Sequence, residues 1–265
     1  LKSLMAAFAA ALAPGEGRAD IELSPLRRVL THEMREATFS VSNPSDRMLD
    51  GRVGWIDLSA TKTGYGPAQN SARKRFSAAP YLTVSPAQFR LEPGARIDVV
   101  VKLKGGATPP PGERRSHLLV ETAAARTALH KASNEGLQVD ISVGVSAPVL
   151  LRGAGRAAAR IGETKLLRDS DGLLLLSTTI IPEGEISSYG RLTARFQPED
   201  STAPPELLGI RDNIAGFVDA DERRVEIPFG FFSLGAGELT LTYEGAEEFE
   251  GRVFDAREFD IAPPR

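Results

Sequence analysis

Residues 137–152 read LQVDISVGVSAPVLLR, and the first nine of them decide the fold class. Leu137, Val139, Ile141, Val143 and Val145 alternate with Gln138, Asp140, Ser142 and Gly144, a period of two that sets five apolar side chains on one face of an extended strand. On periodicity alone the segment is a core strand of a β-sandwich with that face turned inward. Further along, Pro148 removes one ladder donor and Arg152 closes the run.

The neighbouring segments repeat the theme. Residues 96–103 (RIDVVVKL), 116–122 (SHLLVET) and 36–43 (EATFSVSN) predict strands, the last ending in the turn residues Asn43, Pro44, Ser45 and Asp46. Residues 21–30 (IELSPLRRVL) mix strand formers with a proline, which belongs on an edge strand or at a strand switch. Residues 52–58 place Val53, Trp55 and Asp57 on one face, with Trp55 expected in the core. Shorter strands at 81–84 and 88–91 lead to the turn Glu92-Pro93-Gly94. Residues 59–79 are polar, carry Arg73-Lys74-Arg75 and hold no period, so a long loop is expected there, and residues 123–136 read as a connection. After the joint GAGR (153–156), six further strands are expected at 158–167, 172–181, 189–197, 224–232, 238–243 and 251–261. Strands at this spacing with little helical periodicity indicate an all-β chain of two sandwich domains, 20–152 and 157–265.

The chain's 265 residues suit two such domains, each able to bury a core without staples. A net charge of −3 gives no general attraction to nucleic acid. There is no cysteine, which excludes disulfides, thiolate nucleophiles and cysteine-bound zinc together. Lys2, the apolar run at 4–13 and the small residues Gly17 and Ala19 predict an export signal over residues 1–19, cut after Ala19. That run is shorter than the roughly 20 apolar residues needed to cross a bilayer, so no membrane insertion is expected. His32, His117 and His130 lie in separate segments without ligand spacing, so no metal is expected. No G-x-S-x-G elbow or phosphate loop occurs, and Asp169-Ser170-Asp171-Gly172 reads as a hairpin turn. With no cofactor and no catalytic cluster expected, the chain reads as a protein that binds another protein and not as an enzyme.

A family resemblance sharpens this. SPAQFRLEPGARIDVVVKL (85–103) resembles the central segment of the periplasmic pilus chaperones, IELSPLRRVL their first strand, FSVSNP (39–44) their second, and LQVDISV their last strand of domain one, with Arg152 at its end. The resemblance covers residues 20–152; the second half matches only in length, position and β character. It implies two immunoglobulin-like β-sandwich domains in tandem, located in the periplasm, that lend a β-strand to pilus or fimbrial subunits before these pass to an outer-membrane usher. It further implies a donor strand carrying Leu137, Val139, Ile141 and Val143, a subunit-carboxylate anchor at Arg27, and ion pairs through Glu92 and Arg152 that fix the orientation of the domains. Where many members carry a second, lysine anchor, this chain has Pro148, which leaves Arg28 or Arg152 to serve. Without the resemblance Arg27 reads as a solvated strand residue, and the alternative function is an exported two-sandwich structural or adhesive protein.

Overall fold

The computed structural model describes residues 21–124 and 143–262, without the side chains of Ala124 and Val143. The expected signal segment, most of the expected donor strand including Leu137, Val139 and Ile141, and His130 lie outside the described residues. Strand follows strand: β1 (Glu22–Ser24), β2 (Arg28–Leu30), β3 (Glu36–Ser42), β4 (Leu49–Ile56), β5 (Leu58–Ala60), β6 (Tyr65–Pro67), the helix α1 (Asn70–Phe76), β7 (Leu82–Ser85), β8 (Gln88–Leu91), β9 (Arg96–Leu103), β10 (Glu113–Ala124) and β11 (Val143–Arg152). The second half adds β12 (Ala159–Arg168), β13 (Leu174–Pro182), β14 (Ser188–Pro198), β15 (Glu206–Gly216), β16 (Arg223–Pro228), β17 (Gly237–Gly245) and β18 (Val253–Ile261). None of the described helices is long and apolar enough to cross a membrane.

In the first half a sheet ordered β1-β3-β9-β7 lies against one ordered β2-β11-β10-β4-β8. Alternation explains the packing: Ala37, Phe39 and Val41 of β3 and Val99 and Val101 of β9 are buried against Leu118, Val120, Ala147, Val149 and Leu151. Trp55 is half-buried and packs on this core. The proline expected at an edge or switch sits at a switch, since β1 belongs to one sheet and β2 to the other, with Pro25 between them. In the second half β12-β13-β16 faces β15-β14-β17-β18 around a separate core that includes Leu176, Ile180, Leu192, Phe196, Leu241 and Tyr243.

Two turns follow their chemistry. Pro93 and Gly94 occupy the middle of a turn closed by Ala95 N–H donating to Glu92 O at 3.0 Å, and Gly94, at φ +72°, takes the left-handed position that favours glycine. Asp169 Oδ1 accepts from the N–H groups of Asp171 and Leu173, at 3.0 and 2.9 Å, and so closes the hairpin between β12 and β13.

Three expectations need correction. Residues 59–79 are not a plain loop: β5 and β6 pair as a hairpin and α1 follows. Elements of three residues show no period, and α1 buries no residue that would give it an apolar stripe. The strand β15 was not expected, because Arg211-Asp212-Asn213 interrupt its apolar residues where the register with β14 shifts and Asn213 turns to φ +60°. The joint at 153–156, whose glycines predict a flexible link, is packed: Gly112 N–H donates to Ala154 O at 2.8 Å, Gly153 N–H donates to Gly112 O at 3.0 Å, and a Cβ on Gly153 would stand 2.2 Å from Pro110 O.

Asn43 holds the end of β3 in place. Its buried side-chain amide donates to Arg47 O, Leu91 O and Glu92 O, and its Oδ1 accepts from Ser45 N–H at 3.1 Å. Asn43→Ala leaves those carbonyls unmet, and urea melts are expected to show a loss of about 2 kcal/mol with an unchanged m-value.

Candidate functional site

β11 runs beside β10 over its whole described length, from Val143 opposite Thr122 to Arg152 opposite Glu113. On its other side β2 covers only Val149, Leu150 and Leu151, in parallel register with Arg28, Val29 and Leu30. Val143–Pro148 is therefore an uncovered edge among the described residues. Val145, Ala147, Val149 and Leu151 face the first core, while Leu150 points the other way, into a small cluster with Ala60 and Phe217. An uncovered edge carries unpaired backbone groups and is a template for another strand, a liability that Pro148 limits only at the end next to β2.

Where the uncovered edge meets β2, buried guanidinium groups gather. Arg27 immediately precedes β2, and its Nη1 donates to Glu247 Oε2 at 2.7 Å and to Glu248 Oε2 at 2.9 Å, while its Nη2 pairs with Glu248 Oε1. Its guanidinium lies 4.2 Å from the centre of the Tyr189 ring. Arg152 donates from Nε to Glu113 Oε2 at 2.8 Å, from Nη1 to Glu248 Oε1 at 2.5 Å and from Nη2 to Ser187 O at 3.0 Å. Glu113 also accepts from Ser187 Oγ and, at 3.3 Å, from Ser187 N–H. Both arginines and Glu113 are buried, whereas Glu247 and Glu248 belong to a one-turn 3-10 helix (Glu247–Phe249) that leaves their side chains 55% and 30% exposed. Burial opposes the charge of Glu248, but the hydrogen bond from Arg27 and the charges of Arg27 and Arg152 outweigh it and hold the carboxyl at about 2.

Next along β10, Arg115 makes a two-pronged pair with Asp219, at 2.9 and 2.8 Å, with both side chains buried. Asp219 Oδ2 also accepts from Ala60 N–H at 2.9 Å, and Lys62 pairs with Glu222, so the β5–β6 hairpin fastens to the second half. His117, two residues further, is buried with Tyr65 edge-on at 4.7 Å, and neither ring nitrogen has a hydrogen-bond partner among the described residues. Burial first, and then the charge of Arg115, push its imidazolium down to about 4.

Of the residues named from sequence, Arg27 and Arg152 come together through Glu248. Arg27 is neither solvated nor on a strand. Glu92 is exposed in the turn before β9 and makes none of the ion pairs of Arg152, which go to Glu113 and Glu248. Arg28 donates from Nε to Thr38 O at 3.1 Å. Val143 begins β11 as described. Sequence reasoning missed Glu113, Arg115, Ser187, Asp219 and Glu248. The signal that pointed to them was slight: Glu113-Arg114-Arg115 opening a strand, and a Glu247-Glu248 pair in a glycine-flanked turn.

No family model matches the sequence, and no curated protein matches it. Solved structures do resemble the fold. The chain is similar to the YadV chaperone, at 10% identity with 92% of this chain and 100% of that one covered and a TM-score of 0.45. It is similar to the E. coli chaperone DraB, at 14% identity, 91% and 98% coverage and a TM-score of 0.42. It is similar also to the Pseudomonas aeruginosa CupB2 chaperone, at 12% identity, 92% and 100% coverage and a TM-score of 0.42. Likenesses this distant leave the role of the chain to be argued from its own edge and charges.

His117 makes stability depend on pH. The unfolded chain takes up a proton at this residue below about 6.5, whereas the folded protein refuses it until about 4. The unfolded state therefore binds more protons across that window, and stability that is full above it drains away as pH falls. Urea melts are expected to lose about 2 kcal/mol between pH 7 and pH 5, and His117→Phe is expected to remove that loss.

Proposed function

We propose that this chain is an exported periplasmic chaperone, not an enzyme, that lends a β-strand to a pilus or fimbrial subunit whose own sandwich is one strand short, and passes it to an outer-membrane usher. The halves 20–152 and 157–265 are, in this reading, two immunoglobulin-like domains. The observation that carries the proposal is the uncovered edge of β11 at Val143–Pro148, stopped at one end by β2. Leu137, Val139, Ile141 and Val143 alternate with polar residues in sequence, so a β11 that runs on past the first core, which Val145 and Ala147 already fill, would offer a partner alternating apolar side chains together with open backbone groups.

The direction of the added strand follows from charge. A partner strand beside Val143–Pro148 runs end-on towards the start of β2, because β2 occupies the continuation of the same edge. A strand parallel to β11 brings its C-terminal end to that junction, and an antiparallel one brings its N-terminal end. Arg27 stands there, so a terminal carboxylate is the end that gains a charge-assisted contact. This supports Arg27 as the subunit anchor, with Arg152 as the second cation in place of the lysine that Pro148 replaces. One observation favours the alternative of a purely structural or adhesive two-sandwich protein: Arg27 is already paired within the chain.

The two readings separate at Ile141. If Ile141 fills a partner's groove, Ile141→Asp keeps the urea-melt stability of the free protein within about 0.5 kcal/mol. The same change removes the β-rich subunit that the wild type carries out of the periplasm, because capture would bury an unpaired carboxylate. A variant that unfolds outright, or one that still carries the subunit at wild-type yield, would overturn strand donation.

A further inference from the structure

We infer that Glu247 and Glu248 are a built-in stand-in for the partner's terminal carboxylate: the 3-10 turn caps the paired arginines in the free protein and yields them when a strand bearing a carboxylate docks on β11. The inference rests on the chaperone reading and adds a means of regulating the same site.

Three features point to it. Arg27, just before β2, and Arg152, at the end of β11, share one carboxylate, that of Glu248, which bridges them from a one-turn helix at the surface. The arginines are buried at 5% and 6% side-chain exposure, so the carboxylates, not the cations, form the solvent-facing side of the contact. An exchange of ligands therefore needs only the turn to lift, and no arginine has to leave its place. Second, the turn is held under strain. Glu247 stands at φ +53°, a left-handed conformation that a non-glycine residue adopts at a cost, and its carboxylate is on Arg27. Third, the cap is incomplete, because Arg27 Nε is buried without a hydrogen-bond partner among the described residues.

Competition decides what can open the site. Glu248 is tethered close to the arginines and acts at a high effective concentration, so a small free carboxylate competes poorly. A carboxylate at the end of a strand already paired to the β11 edge is tethered as well, and meets Glu248 on equal terms. The cap thus admits chain termini that arrive with the correct strand and excludes loose anions.

The test uses the purified protein and a short N-acetylated peptide of alternating valine and threonine, made with a free C-terminal carboxylate and as its amide. With Glu247→Gln and Glu248→Gln combined, the free-acid peptide is expected to bind at least about ten-fold tighter than to the wild type, the gain for a site otherwise open no more than about a tenth of the time. Binding of the amide is expected to stay unchanged. If the wild type prefers the acid over the amide but the double variant binds the acid no tighter, self-capping is overturned while the anchor reading stands. If neither protein distinguishes the two peptides, or neither binds them, the anchor falls and the cap with it. Should the double variant fail to fold, hydrogen exchange on the wild type decides. Faster exchange over residues 246–252 with the acid than with the amide supports the cap, and equal exchange overturns it.

Discussion

Arg152 ends β11 with its side chain out of water, where removing one member of a buried pair costs about 3 to 5 kcal/mol, and groups from three places in the chain converge on it. Glu113 comes from β10 of the same sheet, Glu248 from the turn before β18, and the Ser187 carbonyl from the residue before β14. Glu113 and the Ser187 carbonyl are interior partners that a buried charge lets move little, so this contact ties the end of the first half to the second, while Glu248 closes it from the solvent side. Arg115 with Asp219 repeats the arrangement a few residues along β10, and the apolar contact of Leu150 with Ala60 and Phe217 fills the space beside it. Beyond the stretch that β2 covers, β11 thus ends in buried ion pairs that join it to the second half.

Much of the fold was legible because alternation reports one buried face. β3, β9 and β17 each bury every second residue, and all three stand where their pattern put them. The turns at Gly94 and Asp169 were legible for a different reason: each depends on one residue type with one conformational or hydrogen-bonding capacity. β15 was hidden because most of its side chains are at least partly exposed and a register shift breaks what alternation remains. The hairpin and α1 at 58–76 were hidden because their stability comes from partners far along the chain, Asp219 and Glu222 among them, which no local pattern displays.

The site was legible only in part. Arg27 and Arg152 were named through a resemblance, and the structure joins them through a residue that the resemblance did not supply. β10 explains why. Ser116, Leu118 and Val120 turn to the sandwich, while Glu113, Arg115 and His117 turn to the hairpin and the second half, and both rows are buried. A strand buried on both faces with charges on one of them reads in sequence as a strand with a polar outer face, and only the packing reveals that those charges are interior.

The shortness of β2 has a consequence of its own. Because β2 begins at Arg28, opposite Val149, it acts as an end-stop on a ruler: the length of edge that remains is counted backwards from that point along β11. Pro25, having no N–H to donate, discourages β2 from growing towards its own start, and Leu26 and Arg27 are left as the graduation mark between covered and open edge. A change that let β2 begin pairing one residue earlier, at Arg27, would shift that mark by one residue, which in a strand exchanges the two faces. Such a change would alter no residue of β11 itself, yet it would reset how much of its edge lies open and which face stands at the end of it.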